Sequence, residues 1–446
     1  MKEFFNKIKS SADYFWNMKF VRDALILQWG SFWDLGLSLI ASVIYARLLG
    51  VGTYGDYALV FALASFFGLF MDWGTGYATL TLLAEAYARK SRQDIKDIIT
   101  YYFKLNAIII VTFGLAAIIF SPWLAQIFYH NPLIGDLARL IVIASLSQIF
   151  FSLVTMLLQV MRKIKYLTII ENINKFFSVF LPVVLVLAGF GLAGIVWGYL
   201  IIAICAQLFS VAVYRNYARR NELVPTLRDI LSNWHAVKIK KYFNFGFIMA
   251  VDKNIANLFG ILPLIILGYF TSSSDVANLK IALAYLALPT IFISPISRLL
   301  QVQLPKASVV GARDLKVNFY KSSFYAGLIF FFIVLGSLVV APYLINFVYG
   351  SDFGLSVKLV YPLALSVIFS GFMIGLGSFY RTVNRNFHSI LISLTNLISG
   401  LALFLAALRF FSPLESVVIM IIYWSCFFII AHLIYLRVYF KNLIKS

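Results

Sequence analysis

Twelve apolar stretches, each long enough to cross a lipid bilayer, constrain this chain more than any other feature. They run at roughly 25–49, 56–83, 99–121, 137–161, 166–188, 191–214, 243–269, 276–305, 318–341, 357–380, 387–408 and 415–437. Apolar runs of this length read as transmembrane helices, because a helix satisfies its own backbone polar groups in hydrocarbon. Only 12% of the residues are charged, about half the share in a soluble domain. The expected fold class is therefore an all-α polytopic membrane protein. The first run is too long for a signal peptide, and no small-residue cleavage site follows it. Residues 1–24 mix Lys2, Lys7, Lys9, Lys19 and Arg22 with Phe4, Phe5, Ile8, Phe15, Trp16 and Phe20, which predicts a short amphipathic segment on the cytoplasmic membrane surface.

The formal net charge of +19 raises the question of nucleic acid. Its distribution answers it. Alternate connections are basic, among them Arg89 to Lys96, Arg162 to Lys165, Arg215 to Lys241, Lys306 to Lys316, Arg381 to Arg385 and Arg437 to Lys445. The connections between them hold almost no cations, chiefly Arg139 and Arg409. This is the positive-inside pattern of an even-numbered bundle with both termini cytoplasmic, so the expected partner of the charge is anionic lipid and not nucleic acid.

The chain also repeats itself. Asp34 and Asp252 lie 218 residues apart (252 − 34), Pro122 and Pro342 220 (342 − 122), and Arg162 and Arg381 219 (381 − 162). A near-constant offset with matched residue classes predicts two six-helix bundles, 25–214 and 243–446, related by a pseudo-twofold axis along the membrane normal and joined by a basic cytoplasmic linker at 215–242. Helix breakers fall mid-membrane: Gly74-Thr75-Gly76, Pro182, Pro263, Pro289, Pro295 and Pro362. Each proline frees a carbonyl that must be satisfied elsewhere.

Little in the sequence suggests bond-breaking chemistry. There is no phosphate-binding Gly-x-x-x-x-Gly-Lys loop, and His130, His235, His388 and His432 lack metal-ligand spacing. Cys205 and Cys426 lie inside helices and read as small buried hydrophobes. No catalytic residue, cofactor or metal is expected. What remains is polar groups at bilayer depth, where a carboxylate costs about 2.5–3.5 kcal/mol and so faces protein or a wet cavity. Asp34 lies on a polar stripe with Gln28, Ser31, Ser38, Ser42 and Tyr45, and Asp72 lies in the second helix. Glu171, Asn174, Lys175 and Ser178 share a face of the fifth, with Asn172 beside them. Glu171 and Lys175, spaced i,i+4, either neutralise one another or face a cavity. The seventh helix holds Asp252, Lys253, Asn254 and Asn257, and Lys253 either snorkels or joins a site. The eighth holds Lys280 and Arg298, with Gln301 and Ser294 close to the face of Arg298. Snorkelling accounts for either cation, and Arg298 is the better functional candidate.

One run carries a family resemblance. Ala46-Arg47-Leu48-Leu49-Gly50, Tyr54-Gly55, Asp72-Trp73-Gly74-Thr75-Gly76 and Ala84-Glu85 resemble the opening of bacterial O-antigen-type (Wzx-like) oligosaccharide flippases. These belong to the multidrug/oligosaccharidyl-lipid/polysaccharide (MOP) exporter superfamily. Val51 stands where those proteins usually have Pro, and the basic residue often found after Asp-x-Gly is absent between Thr79 and Leu83. The resemblance implies a carrier for polyprenyl-pyrophosphate-linked oligosaccharide, acting by alternating access in a bacterial or archaeal cytoplasmic membrane for cell-surface polysaccharide or lipopolysaccharide synthesis. It would work as a monomer beside glycosyltransferases and a glycan polymerase. On that reading Lys253, Arg298, Lys280, Lys175, Asn257 and Asn174 bind the headgroup, and Asp34, Asp252, Asp72 and Glu171 are candidates for coupling an ion. The competing readings are a cation-coupled multidrug exporter of the same superfamily, a membrane-embedded glycan polymerase or ligase, and a scaffold. Short, cation-poor outer connections argue against the polymerase.

Overall fold

The fold comes from a computed structural model in which residues 19–445 are described, the side chains of some helix positions, Arg298 among them, being excepted. The expected surface segment lies outside the described residues up to residue 18. The described elements are helices. In chain order they begin with α1 (Lys19–Met71), α2 (Thr75–Ala88), α3 (Arg92–Tyr129), α4 (Pro132–Leu146) and α5 (Ile149–Val160). They continue with α6 (Ile164–Leu185), α7 (Gly191–Arg220), the short α8 (Leu227–Ser232) and α9 (Lys240–Phe270). Then come α10 (Ser273–Ala287), α11 (Thr290–Val310) and α12 (Ala312–Tyr349). The chain ends with α13 (Gly354–Val367), α14 (Leu376–Thr382), α15 (Asn386–Ala407) and α16 (Pro413–Lys445).

Among the described residues, ten helical segments are long and apolar enough to cross a membrane. Two of them cross twice. Gln28–Met71 and Ile164–Arg220 contain 44 and 57 residues, about 66 and 86 Å at 1.5 Å per residue, against an apolar core about 30 Å thick. Each is broken where only glycine is comfortable, at Gly50 (φ 73°) and at Gly189 (φ 92°). Counting both passes gives twelve (10 + 2). The internal repeat reappears in the element lengths. Helices α3 and α12 are both 38 residues long and are offset by 220 at each end (312 − 92 and 349 − 129).

The chain divides into two compact units. The first comprises the described residues up to Leu48, together with Phe70–Trp123 and Asp136–Ala250. Its core is built on buried Tyr101, Tyr102 and Tyr214 with Ile95, Ile99 and Leu153. The fourth pass breaks between α4 and α5. There the Gln207 side chain of α7 accepts the N–H of Phe150 at 2.9 Å, and the Tyr102 hydroxyl donates to the Ile149 carbonyl at 2.9 Å. The basic connection is folded and held against α3. Lys104 Nζ donates to the carbonyls of Trp234 and Val237 at 3.0 and 3.1 Å, Asn233 donates to Asp97, and Tyr214 donates to Pro225. Thr226 and Asp229 close a capping box on α8. The bonded Thr226 N–H holds the Asp229 carboxyl below the usual carboxylate range, and Arg92 and Lys96 act in the same direction.

The second unit comprises Leu49–Leu69, Leu124–Gly135 and Val251–Ser446. Asn278 of α10 accepts both the N–H and the hydroxyl of Ser356, at 2.9 and 2.8 Å, inside its core. Its tenth pass breaks between α13 and α14 around a single 3-10 turn, Ser370–Met373. Here Ser425 donates its hydroxyl to the Ser366 carbonyl. Paired glycines let the helices close on this break: Phe372 lies on Gly327, and Phe330 on Gly371. The eighth pass divides at Leu288–Pro289 into α10 and α11, the point where the sequence predicts a bend.

The Asp72-Trp73-Gly74 motif has a physical explanation in this fold. Gly74 takes φ 73°, and a Cβ there would overlap the Gly246 carbonyl. Its N–H is bound by Asp72 at 3.0 Å, so the carboxylate caps the helix break before α2. Trp73 donates its indole N–H to Phe70 and packs edge-on against Phe243 and Phe247. Left-handed strain costs an L-residue roughly 1–2 kcal/mol, and overpacking typically adds about 1–3. Gly74→Ala is therefore expected to lower the unfolding temperature and the folded yield in detergent. Gly76→Ala, with open space around it, should match wild type.

Candidate functional site

In the first unit, α1 and α6 come together at Gly30, where a Cβ would lie 2.8 Å from Thr168 and 3.4 Å from Asn172. One turn further along α1 is Asp34, half-buried, with its Oδ1 enclosed and without a hydrogen bond. Lys175 and Glu171 of α6 both lie within electrostatic reach of it. The i,i+4 pair Glu171–Lys175 does not close to within 4 Å. Lys175 thus acts on Asp34 across the two helices, while Asp34 and Glu171 face each other as like charges. Asn174 Oδ1 is also buried without a partner. This intramembrane cluster carries two carboxylates and one ammonium, and it has hydrogen-bonding capacity to spare.

In the second unit, the repeat-related Asp252 lies within electrostatic reach of Arg381, near the end of α14. Each unit therefore sets an acid on its first long pass against a cation from a later one. Sequence reasoning assigned Arg381 only to a basic loop, although its repeat relation to Arg162 marked the position. Lys253 and Asn257 are exposed on α9, and Asn254 donates to the Leu69 carbonyl at 2.8 Å. Arg298 belongs to α11, with its side chain outside the described residues. Lys280 is placed more sharply. Its Nζ lies 3.9 Å from the ring centre of Tyr57 and 5.4 Å from that of Tyr54. No carboxylate lies within 4 Å of it among the described residues. Two ring faces attract an ammonium by about 2 kcal/mol or more when desolvated, but leave its charge uncompensated. Asp56, one residue before Tyr57, is occupied by the Ser273 hydroxyl at 2.6 Å.

The sequence matches the polysaccharide biosynthesis protein family over residues 44–358, more than two thirds of the 446-residue chain. The chain belongs to that family. No curated protein matches it in sequence. Several solved structures share its fold. An inward-facing multidrug resistance MATE family transporter of the MOP superfamily is 16% identical, with TM-score 0.76 over 92% of this chain and 96% of that one. The lipid II flippase MurJ in an inward closed conformation is 15% identical, with TM-score 0.67 over 90% and 86%. A eukaryotic MATE transporter is 14% identical, with TM-score 0.64 over 94% and 96%. At such identities the likeness establishes the fold alone. This member of the polysaccharide biosynthesis family thus has the MOP architecture that its sequence pattern suggested.

The charge cluster in the first unit makes its own prediction. Removing Lys175 leaves two carboxylates within reach of each other, and one of them must then take up a proton. Lys175→Ala is expected to lower thermal stability in detergent at neutral pH, and adding Asp34→Asn should recover much of the loss. A double-mutant cycle should give a coupling of about 0.5–3 kcal/mol. Additive effects would mean that Lys175 does not serve Asp34.

Proposed function

We propose that the protein flips a polyprenyl-pyrophosphate-linked oligosaccharide from the inner to the outer leaflet of the cytoplasmic membrane. It does so as a carrier, without bond-breaking chemistry of its own. Family membership supports polysaccharide synthesis as the process, and the shared fold supports transport as the activity. Both termini lie on the cytoplasmic side in this reading, as the basic connections require. Glycosyltransferases build the substrate on that side, and a polymerase takes it up on the other.

The observation that carries the choice of substrate is Lys280. A lysine within a membrane pass, held against the rings of Tyr54 and Tyr57 and with no carboxylate within 4 Å among the described residues, finds its counter-charge in an anionic ligand. A pyrophosphate crossing low dielectric must exchange hydration for fixed positive charge, because an unpaired charge there costs several kcal/mol. An exporter of organic cations would place carboxylates, not an unmatched ammonium, at such a point. In this scheme Lys280 receives the headgroup near the cation-poor surface. Lys253, Arg298 and Lys175, with Asn174 and Asn257, act earlier in its passage. Asp34 and Asp252, each tethered to a cation, are the places where proton or sodium uptake would change the balance. Glu171 and Asp72 are further candidates for that role, Asp72 also capping the break at Gly74.

The test is export of surface glycan in cells that lack their own flippase. Lys280→Ala is expected to reduce export at least tenfold with the protein still present in the membrane, and Lys280→Arg should retain a measurable part. Resistance to organic cations should be the same with and without the protein. Wild-type export by Lys280→Ala would remove the headgroup role.

A further inference from the structure

A second feature of the second unit is unclaimed by the polar groups above. Helices α12 and α16 run antiparallel, as successive contacts show: Tyr320 lies against Phe440, and Phe324 and Leu433 line one groove. The groove encloses about 350 Å³ beside the break that follows α13. Its floor is Phe319 and Leu436, both fully buried, with the buried hydroxyl of Ser323. Its mouth is formed by Phe324, Phe369 and Leu433, which are 56%, 47% and 43% exposed. Because α12 and α16 cross the membrane, that mouth opens toward hydrocarbon.

Both helices carry a cation one turn beyond the mouth, toward the same surface. Lys321 precedes Phe324 by three residues and Arg437 follows Leu433 by four, about 4.5 and 6 Å along their axes. Both are exposed, and neither forms an ion pair among the described residues. That surface is the one at which the basic connections lie. An apolar slot ending in two free cations is complementary to a single hydrocarbon chain that ends in a multiply charged phosphate group.

We infer that this groove binds the first isoprene units of a polyprenyl pyrophosphate, with its phosphates at Lys321 and Arg437, as the loading station for the substrate. The inference rests on the flippase reading and adds to it a tail site on the lipid-facing surface of the second unit. The size of the groove favours one chain over the two of a phospholipid, since it lies at the lower end of the roughly 300–1,000 Å³ of small-molecule pockets. Two cations match a pyrophosphate better than the single charge of phosphatidylglycerol. Loading would then start at the lipid-facing side, with the tail never leaving hydrocarbon while the headgroup moves inward.

The experiment is lipid binding to the purified full-length protein in detergent, read by native mass spectrometry with polyprenyl pyrophosphate and with phosphatidylglycerol. Wild type is expected to bind the polyprenyl lipid at least tenfold more tightly than the phospholipid. Leu433→Trp, which plugs the mouth from an exposed position, should weaken polyprenyl binding at least fivefold. The Lys321→Gln, Arg437→Gln pair, which leaves the packing alone, should weaken it similarly. Equal affinity for the two lipids, or wild-type binding by both variants, overturns the site. The outcome is separable from the function itself. If the flippase reading fails, Lys280→Ala leaves export unchanged whatever the groove binds. If only the groove fails, export still depends on Lys280 while Leu433→Trp binds polyprenyl lipid normally.

Discussion

A peptide group in hydrocarbon must find its hydrogen-bond partner within the protein, and this requirement organises the whole chain. Continuous helix meets it automatically. The informative places are those where the helix stops. At three of these breaks a side chain takes over from the backbone: Asp72 at Gly74, Gln207 at Phe150, Ser425 at Ser366. The last two stand at the fourth pass of each half, and both partners come from the sixth pass of the same half. The repeat thus preserves an arrangement, a broken helix mended by a polar group on a neighbour, with different residues doing the mending.

Charge follows the same logic at greater cost. Asp34 and Asp252 are tolerable at depth because each has a cation within reach, Lys175 in one case and Arg381 in the other. Lys280 is tolerable because aromatic faces replace part of its hydration. The difference between these solutions is functional. Each of these acids lies near an opposite charge, whereas Lys280 has ring faces beside it.

Much of this was legible in the sequence. Hydropathy marked the passes and the 218–220 offset marked the repeat, because both are properties of the chain read along its length. The gaps that hydropathy left between passes at 50–55 and 189–190 hold Gly50 and Gly189, where the helices break. The roles of individual polar groups were less legible. Asp72 read as an acid at bilayer depth and a candidate for coupling an ion, and the structure shows in addition that it accepts a backbone N–H two residues away. Nothing in the local pattern announced Gln207, because its partner lies 57 residues distant. The basic connection read as a loop, since its hold on α3 depends on Lys104 reaching carbonyls 130 and 133 residues later. Periodicity reports which face of a helix is apolar. It carries no information about which distant polar atom will come to rest there.

The folding of that connection bears on biosynthesis. The first unit does not end with the sixth pass: it takes in the connection and the first turns of α9, where Tyr242 packs on Tyr101 and Phe243 on Trp73. A nascent chain that has inserted six helices is therefore still missing part of its first core. At ribosomal rates of about 5–20 residues per second, the roughly thirty residues from Arg220 to Ala250 take about 2–6 s to emerge. During that interval Tyr101 lacks Tyr242, and Trp73 has Phe113 but lacks Phe243 and Phe247. The first core is therefore completed only when the first turns of the seventh helix arrive.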